Sequence, residues 1–198
     1  MKTFFTSDLH LFHINIIKYD NRPFDYVTDM NNTIVRNWNS VVGEKDVVYV
    51  LGDFGFTSLF NIKILLNSLK GRKILIAGNH DRHTHYQYID AGFEAVYYEA
   101  VIKLGRKVVK LSHYPYRESK LKQWWEQFIK GKDYTHINKK RPIKGIEDWL
   151  IHGHTHSGAV KINIDKKQIH VGCFLWDYTP VNENQIYNLI DIAMRGGK

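Results

Sequence analysis

Five short motifs, each beginning where a hydrophobic run stops, place metal-ligand residue types at separate points of the chain. They are Asp8-Leu9-His10, Gly52-Asp53, Gly78-Asn79-His80-Asp81, Ser112-His113 and Gly153-His154-Thr155-His156. The preceding runs cover residues 3–6, 47–51, 73–77, 107–111 and 149–152. Runs of this length, rich in Val, Ile, Leu and Phe, are typical of buried strands. The pattern therefore predicts that these side chains lie on loops along one edge of a sheet, where open α/β sheets place their sites.

The rest of the chain predicts an α/β fold. Strands and helices alternate in the first half, which indicates βαβ units with parallel strands. We expect helices over residues 29–41, with Asp29 as the N-cap, over 58–70, capped by Thr57 or Ser58, and over 183–194. Residues 159–164 and 168–174 flank a short turn and predict an antiparallel hairpin. Parallel strands followed by antiparallel ones indicate a mixed sheet or two packed sheets.

The length of 198 residues favours a single domain over 1–198. Residues 114–148 separate two of the strand-end motifs and are rich in basic and aromatic side chains, so we expect an insertion across the mouth of the site, helical over 118–130. Its Trp124-Trp125 pair could stack a nucleobase. A tryptophan pair on an amphipathic helix could equally pack as core or lid.

The composition favours a cytoplasmic protein with an anionic partner. No apolar run reaches membrane-spanning length, and Asp8 and His10 interrupt any signal-peptide core, so we expect no membrane partner. The single cysteine, Cys173, excludes an intrachain disulfide and fits a reducing compartment. The net charge of +8 suggests a phosphorylated molecule or nucleic acid as partner, although a lysine-rich surface can serve solubility alone.

The spacing within the motifs suits metal ions. Asp8 and His10 stand two residues apart, so at an extended strand end they point the same way, and His154 and His156 repeat that spacing. Each pair can hold one ion from one side. The carboxylate of Asp53 has two oxygens, which lets it bridge two cations.

Asn79 adds a neutral carbonyl oxygen and His113 an imidazole nitrogen. Two divalent ions carry four positive charges against two carboxylates, so the centre would remain cationic and would favour a phosphate substrate and a bound hydroxide. Oxygen and nitrogen ligands without cysteine are compatible with Mn, Fe, Ni, Co or Zn. We expect two divalent ions, with Mn favoured. Each motif alone could be a turn or a helix cap, but chance does not readily supply all five in this order.

The set Asp-x-His, Gly-Asp, Gly-Asn-His-Asp, His and Gly-His-x-His resembles the calcineurin-like metallophosphoesterase superfamily, over nearly the whole chain from Asp8 to His156. Residues 8–17, 22–24 and 176–181 are also similar to a small bacterial and phage-type subgroup. The resemblance implies an αββα architecture, in which a two-sheet mixed β-sandwich is flanked by helices and carries a dinuclear centre at the strand ends.

The resemblance also implies roles. It assigns seven side chains to two metals: Asp8, His10 and His156 to the first, Asn79, His113 and His154 to the second, and Asp53 to both. His80 would be the family's non-ligand histidine, which contacts the phosphate and protonates the leaving oxygen. Asp81 would orient the imidazole of His80 or stabilise its charge.

Residues near the motifs are further candidates. His13 and Asn15 could orient metal-bound groups or contact substrate, or cap a helix under the site. Arg22 could bind phosphate with two donors, or be an ordinary surface arginine. Arg117 and Tyr116, which follow His113, offer the same two possibilities.

The remaining histidines receive no functional role. We expect His83 and His85 to be solvated loop residues. His136, His152 and His170 have no place in the family pattern.

The predicted function is metal-dependent hydrolysis of a small phosphodiester or a nucleotide, by attack of a metal-bridging hydroxide. An alternative is a nuclease on single-stranded or structured nucleic acid, which would show strong salt dependence. An alternative of another class is a non-catalytic binding scaffold on the same fold, which the complete set of ligand types disfavours. Substrate, preference for monoester or diester, native metals and oligomeric state stay open.

Overall fold

The computed structural model describes residues 1–119, 139–156 and 158–196. Its first sheet has the strand order β10-β1-β2-β3-β4. These strands are β1 Thr3–Thr6, β2 Val47–Val50, β3 Arg72–Ile76, β4 Ala95–Tyr97 and β10 Val181–Asn182. β1 to β4 run parallel, as predicted, and β10 pairs antiparallel with β1. The carboxyl ends of the first three strands therefore meet at one edge.

The second sheet has the strand order β5-β6-β7-β9-β8. These strands are β5 Glu99–Leu104, β6 Lys107–Ser112, β7 Trp149–His152, β8 Ile162–Asn163 and β9 Gln168–His170. β6, β7 and β9 are parallel, whereas the β5–β6 and β8–β9 pairs are antiparallel. The two mixed sheets flanked by helices confirm the predicted fold class.

The part of the chain that the structure describes includes the helices α1 Ile14–Tyr19, α2 Val27–Val41, α3 Leu59–Ser68, α4 His85–Ala91 and α5 Glu183–Gly196. Ser58 caps α3, because its side chain accepts a hydrogen bond from the backbone N–H of Asn61. α2 begins earlier than predicted, with Tyr26 at the N-cap position, so Asp29 lies in the first turn. Among the helices of the described residues, none is both long and apolar enough to cross a membrane.

Two hydrophobic clusters hold the layers together. Alternation along β1 sends Phe4 into the cluster shared with the helices, which includes Trp38, and Phe5 into the cluster between the sheets, which includes Trp149. Each such fully buried side chain contributes about 1.5–3 kcal/mol relative to exposure. The ends of β1 and β9 are joined where the N–H of Ser7 donates to the carbonyl of Val171 over 3.0 Å.

Two sequence-based predictions need adjustment, and a third falls mainly outside the described residues. The hairpin is present, but its strands are shorter than predicted, and Cys173 lies in a buried 3-10 turn, Cys173–Trp176, rather than in a strand. Most of the helix predicted over 118–130 lies outside the described residues. Trp124, Trp125 and His136 lie outside them as well.

Candidate metal centre

Backbone hydrogen bonds bring the loops after four strands together at one edge of the sandwich. The N–H of Asp8 donates to the carbonyl of Gly52 over 3.0 Å, and the N–H of His10 to that of Asp53 over 2.9 Å. In the second sheet, the N–H of Gly153 donates to the carbonyl of His113 over 3.0 Å. The motifs that follow β1, β2, β6 and β7 therefore face a common space.

Two groups of candidate ligand atoms share Asp8. Atoms of Asp8, His10 and His156 lie within 4.8 Å of one another, as do those of Asp8, Asp53 and His113. Oδ2 of Asp53 lies 3.5 Å from Nε2 of His10 and 3.6 Å from Nε2 of His113. This carboxylate oxygen, which belongs to the second group, thus also lies near a histidine nitrogen of the first.

A third set of candidate metal-ligand atoms lies close together around His113. Its Nδ1 donates to the carbonyl of Leu51 over 2.9 Å, so Nε2 is the ring nitrogen left to face a ligand. That nitrogen lies 2.9 Å from Oδ1 of Asn79 and 3.1 Å from Nδ1 of His154. Electron-rich atoms gathered this closely favour a cation among them.

The donor set fits divalent metal ions. Nε2 of His10 is buried and has no hydrogen-bond partner among residues 1–119, 139–156 and 158–196, as expected for an atom directed at a ligand. Burial and the charge of Arg22 lower the pKa of His10 to about 2. Burial, and after it the electrostatic effect of His113, lower the pKa of His154 to about 3. Both rings are therefore neutral and able to coordinate. Burial raises the pKa of Asp8, so a cation would favour its ionised form.

Several of these residues have left-handed backbone conformations. The φ angles are 54° at Asp8, 49° at His10, 56° at Asp53 and 72° at His154. Such conformations cost on the order of 1–3 kcal/mol each in residues other than glycine and cluster at functional sites. The fold therefore holds these side chains in orientations that relaxed strand ends would not give.

The glycines that begin three of the five motifs have a steric reason. A Cβ at Gly52 would clash with the ring of His113, one at Gly78 with the carboxylate of Asp53, and one at Gly153 with the side chains of Ser7 and Asp8. The ligand side chains of one loop thus pack directly on the backbone of another. Glycine at these positions permits that approach.

Asp20 was not predicted from the sequence, although it contacts the centre. Its Oδ2 accepts a hydrogen bond from Nδ1 of His156 over 2.7 Å and one from Nη2 of Arg22 over 3.1 Å. Burial opposes charge on His156, but the bond to Asp20 and the carboxylates of Asp8 and Asp20 raise its pKa above the ordinary value. The signal in the sequence that could have pointed to Asp20 is its position two residues before Arg22 in a loop.

Arg22 is not at the surface. It is 4% exposed, and its guanidinium donates to the carbonyl oxygens of Leu9 and Asp8 over 3.0 and 2.9 Å. The alternative of an ordinary surface arginine is therefore wrong. These donors hold the backbone that presents Asp8, so the surroundings favour a positioning role over contact with phosphate.

Asp81 also has different partners from those expected. Its carboxylate accepts hydrogen bonds from the backbone N–H groups of Asp53, Phe54 and Gly78 over 2.8, 3.1 and 2.8 Å. Burial and the neighbouring Asp53 raise its pKa. These bonds hold the two ligand loops together instead of orienting the imidazole of His80.

His80 lies beside the two groups without joining them. Its backbone N–H donates to Oδ1 of Asp53 over 2.9 Å, and its ring centroid is 5.6 Å from that of His10. His13 precedes α1 at the N-cap position and packs its ring edge-on against Phe56 at 4.9 Å. Asn15 is exposed on α1.

The remaining candidates lie elsewhere. Arg117 donates to the carbonyl of Lys139 over 3.1 Å, and Tyr116 is buried and donates from its hydroxyl to Glu147 over 2.7 Å. His83 and His85 are half-buried rather than solvated, since the ring of His83 contacts Tyr88 and His85 begins α4.

His152 and His170 are buried on strands of the second sheet, with ring centroids 4.9 Å apart. The described contacts of this pair do not include the ligand atoms of the two groups above.

The fold and site define an α/β protein of two mixed sheets with candidate divalent-metal ligands at the strand ends. Comparisons with known sequences and structures identify the family of the chain. The profile of the family described as calcineurin-like phosphoesterase matches residues 1–176. The chain is similar to the uncharacterized protein MJ1445 of Methanocaldococcus jannaschii, with 34% identity over 96% of this chain and 92% of that protein.

A phage protein and a solved structure are similar too. The Gene 66 protein of Mycobacterium phage L5 is 34% identical, over 96% of this chain and 94% of its own. The crystal structure of a protein of unknown function from Aquifex aeolicus, AQ665, superposes with a TM-score of 0.69 at 27% identity, covering 96% of this chain and 99% of that one. The chain belongs to the calcineurin-like phosphoesterase family, whose members are in general metal-dependent phosphoester hydrolases.

Proposed function

We propose that this protein is a phosphodiesterase that hydrolyses a small phosphodiester or a nucleotide at a centre of two divalent metal ions. The observation that carries the proposal is the arrangement around Asp53, whose Oδ2 lies 3.5 Å from Nε2 of His10 and 3.6 Å from Nε2 of His113. Bound ions would activate water and neutralise charge on the phosphoryl oxygens. Mn is the favoured metal, and Fe, Ni, Co and Zn suit the same ligands.

The ligand assignment follows the two groups of atoms and the motifs. Asp8, His10 and His156 would hold one ion. Asn79, His113 and His154 would hold the other, with Asp53 shared between them. The sharing of Asp8 between both groups supports a compact centre rather than two separate sites.

His80 has the position of a proton donor. Its ring stands next to His10 but outside both ligand groups, and it lines a cavity beside the centre. Its backbone N–H is bonded to Asp53, which holds the backbone of His80 next to the centre. We assign it the protonation of the leaving oxygen, a role that typically contributes about 10²–10⁴-fold in rate.

The test is hydrolysis of bis-p-nitrophenyl phosphate beside p-nitrophenyl phosphate, on metal-stripped protein reloaded with Mn, Ni, Zn or Mg. We expect diester turnover to return with Mn or Ni. His80→Ala should lower kcat by about 10²–10⁴-fold while metal content stays unchanged. His85→Ala, which removes a histidine on α4, is the matched control and should retain activity.

Two outcomes would contradict the proposal. One is an absence of turnover with every metal although two ions bind, which would favour a binding role. The other is a parallel loss of metal and activity in His80→Ala, which would make His80 a ligand. Asp53→Asn should instead lower the content of both metals, because the shared carboxylate loses its charge.

A nuclease is the second candidate, favoured by the net charge of +8. Binding to a polyanion releases counterions, so its affinity should fall steeply with salt. A large negative slope of log affinity against log salt for an oligonucleotide, together with its cleavage, would favour a nucleic acid over a small diester.

A further inference from the structure

A cavity of about 260 Å³ opens directly beside His80, which is one of its lining residues. Phe56, Arg82 and Tyr88 line it together with His80, and we call it the Phe56 cavity. The role proposed above uses only the border of this space with His80 and assigns no occupant to it. Its position matters because a group that protonates a leaving oxygen must stand next to the group that leaves.

The ring of Phe56 is fixed in place and partly open. Its side is packed by His13, edge-on at 4.9 Å and 90°, and by His80 at 6.2 Å. Even so, Phe56 remains 37% exposed. A rigid aromatic ring with solvent access is a surface on which a planar group can stack at low entropic cost.

Arg82 demonstrates that a planar group fits there. Its guanidinium lies over the ring of Phe56, with Cζ 4.5 Å from the ring centroid. Arg82 is exposed, so its side chain can move away without opening the core. The guanidinium therefore occupies the place that an aromatic ring would take.

The inner wall of the cavity is formed by Tyr88, which is held in place by its packing. Tyr88 is 1% exposed and packs edge-on against His83 at 5.5 Å and against Phe93 at 5.9 Å. Four of the lining residues, Phe56, His80, His83 and Tyr88, thus contribute rings, and the ring of Tyr88 is held by the core. A largely preformed cavity with apolar walls and a few polar groups is typical of a small-molecule site.

We propose that the Phe56 cavity binds the leaving group of the substrate, and that this group carries a planar aromatic ring stacked on Phe56 in place of the Arg82 guanidinium. The inference rests on the proposed function, since it takes His80 as the proton donor. It narrows the substrate class to phosphoesters whose leaving alcohol or phenol bears an aryl ring or a nucleobase.

The test compares the binding of phenylphosphonate and cyclohexylphosphonate at a pH above the second pKa of both, where each is a dianion. The two compounds have the same number of carbons and cannot be hydrolysed. Dissociation constants are measured by calorimetry on protein reloaded with Zn. The wild-type protein should bind the planar compound about tenfold more tightly, within the range typical of stacking on an aromatic side chain. Phe56→Leu should abolish that preference, and Phe60→Leu, the same change on the exposed surface of α3, should retain it.

Arg82→Ala separates stacking from charge. Because both phosphonates carry the same charge, their affinity ratio cancels any attraction to the guanidinium. We expect Arg82→Ala to keep or increase the preference for the planar compound. The same comparison with phenol and cyclohexanol, by ligand-observed NMR on metal-stripped protein, gives a readout that needs no metal.

The outcomes distinguish the two proposals. Equal affinity of wild-type protein for the planar and saturated compounds, or a preference that persists in Phe56→Leu, would overturn the cavity assignment even if diesters are hydrolysed. A preference lost in Phe56→Leu, in protein that hydrolyses no ester, would support the cavity as an aromatic-binding site while the phosphodiesterase proposal fails.

Discussion

Nδ1 of His156 donates a 2.7 Å hydrogen bond to Oδ2 of Asp20, 136 residues away in sequence. The bond fixes the tautomer and the orientation of the ring, and directs Nε2 towards Asp8, 3.6 Å away. A carboxylate behind a metal-binding histidine also raises the basicity of the ligand nitrogen. Asp20 also forms an ion pair with the buried Arg22, so Arg22, Asp20 and the candidate ligand His156 are linked in a row of polar contacts.

We therefore predict that Asp20→Asn weakens metal binding without unfolding the protein. The amide keeps an oxygen but loses the charge that supports His156, and the loss of such a partner typically costs about 10–100-fold in metal affinity. The measurement is competition with a chromophoric chelator for Zn or Mn. Asp25→Asn changes an exposed residue of the same loop region and serves as control. Unchanged affinity in Asp20→Asn would exclude a supporting role.

Asp81 gives a second prediction, because its three backbone bonds join the loops after β2 and β3. Asp81→Ala leaves these N–H groups without an acceptor, and a buried unsatisfied donor costs about 1–3 kcal/mol. We expect the free energy of unfolding in urea to fall by at least that amount in metal-free protein, and metal content to fall as Asp53 is displaced.

The control for Asp81 is Asp90→Ala, an exposed position on α4, where a change within about 0.5 kcal/mol is expected. If Asp81→Ala instead altered only the pH profile of turnover, with stability unchanged, its role would be to orient His80. That result would restore the role suggested by the sequence motif.

The strand-end pattern predicted most of the fold, because hydrophobic runs and their order are local properties of the chain. Parallel strands followed by ligand types place the loops at one edge, and the structure confirms this for β1, β2 and β3. The shorter β8–β9 hairpin and the turn at Cys173 differ because a continuous apolar run does not reveal where pairing stops.

The supporting contacts could not be predicted in the same way. Asp20 and Arg22 look like ordinary loop residues, since their partners lie far away in the sequence. The left-handed backbone at Asp8 and His10 has no local signature either, because both residue types also occur in extended chain. A glycine in the sequence is compatible with an ordinary turn, whereas Gly78 is needed because the carboxylate of Asp53 packs against it.

Glu147, a buried carboxylate outside the candidate metal centre, gives a prediction about how stability depends on pH. Glu147 accepts hydrogen bonds from the hydroxyl of Tyr116 over 2.7 Å and from the N–H of Gly145 over 3.0 and 3.1 Å, and Lys110 lies 3.4 Å away. Burial alone would raise the pKa of Glu147. These bonds and the Lys110 charge outweigh it and lower the pKa from 4.5 to about 2.

Because the pKa of Glu147 is lower in the folded than in the unfolded chain, its charge stabilises the fold fully above pH 4.5, and this contribution is lost as pH falls towards 2. Glu147→Gln should reduce the free energy of unfolding at pH 7 by about 1–3 kcal/mol, since charge-assisted bonds are replaced by neutral ones. The deficit should shrink between pH 5 and pH 3, measured by urea denaturation at each pH. Glu44→Gln, at an exposed position, is the control and should produce no such trend. If the deficit of Glu147→Gln instead stays constant with pH, the contribution of Glu147 to stability comes from packing and not from its charge.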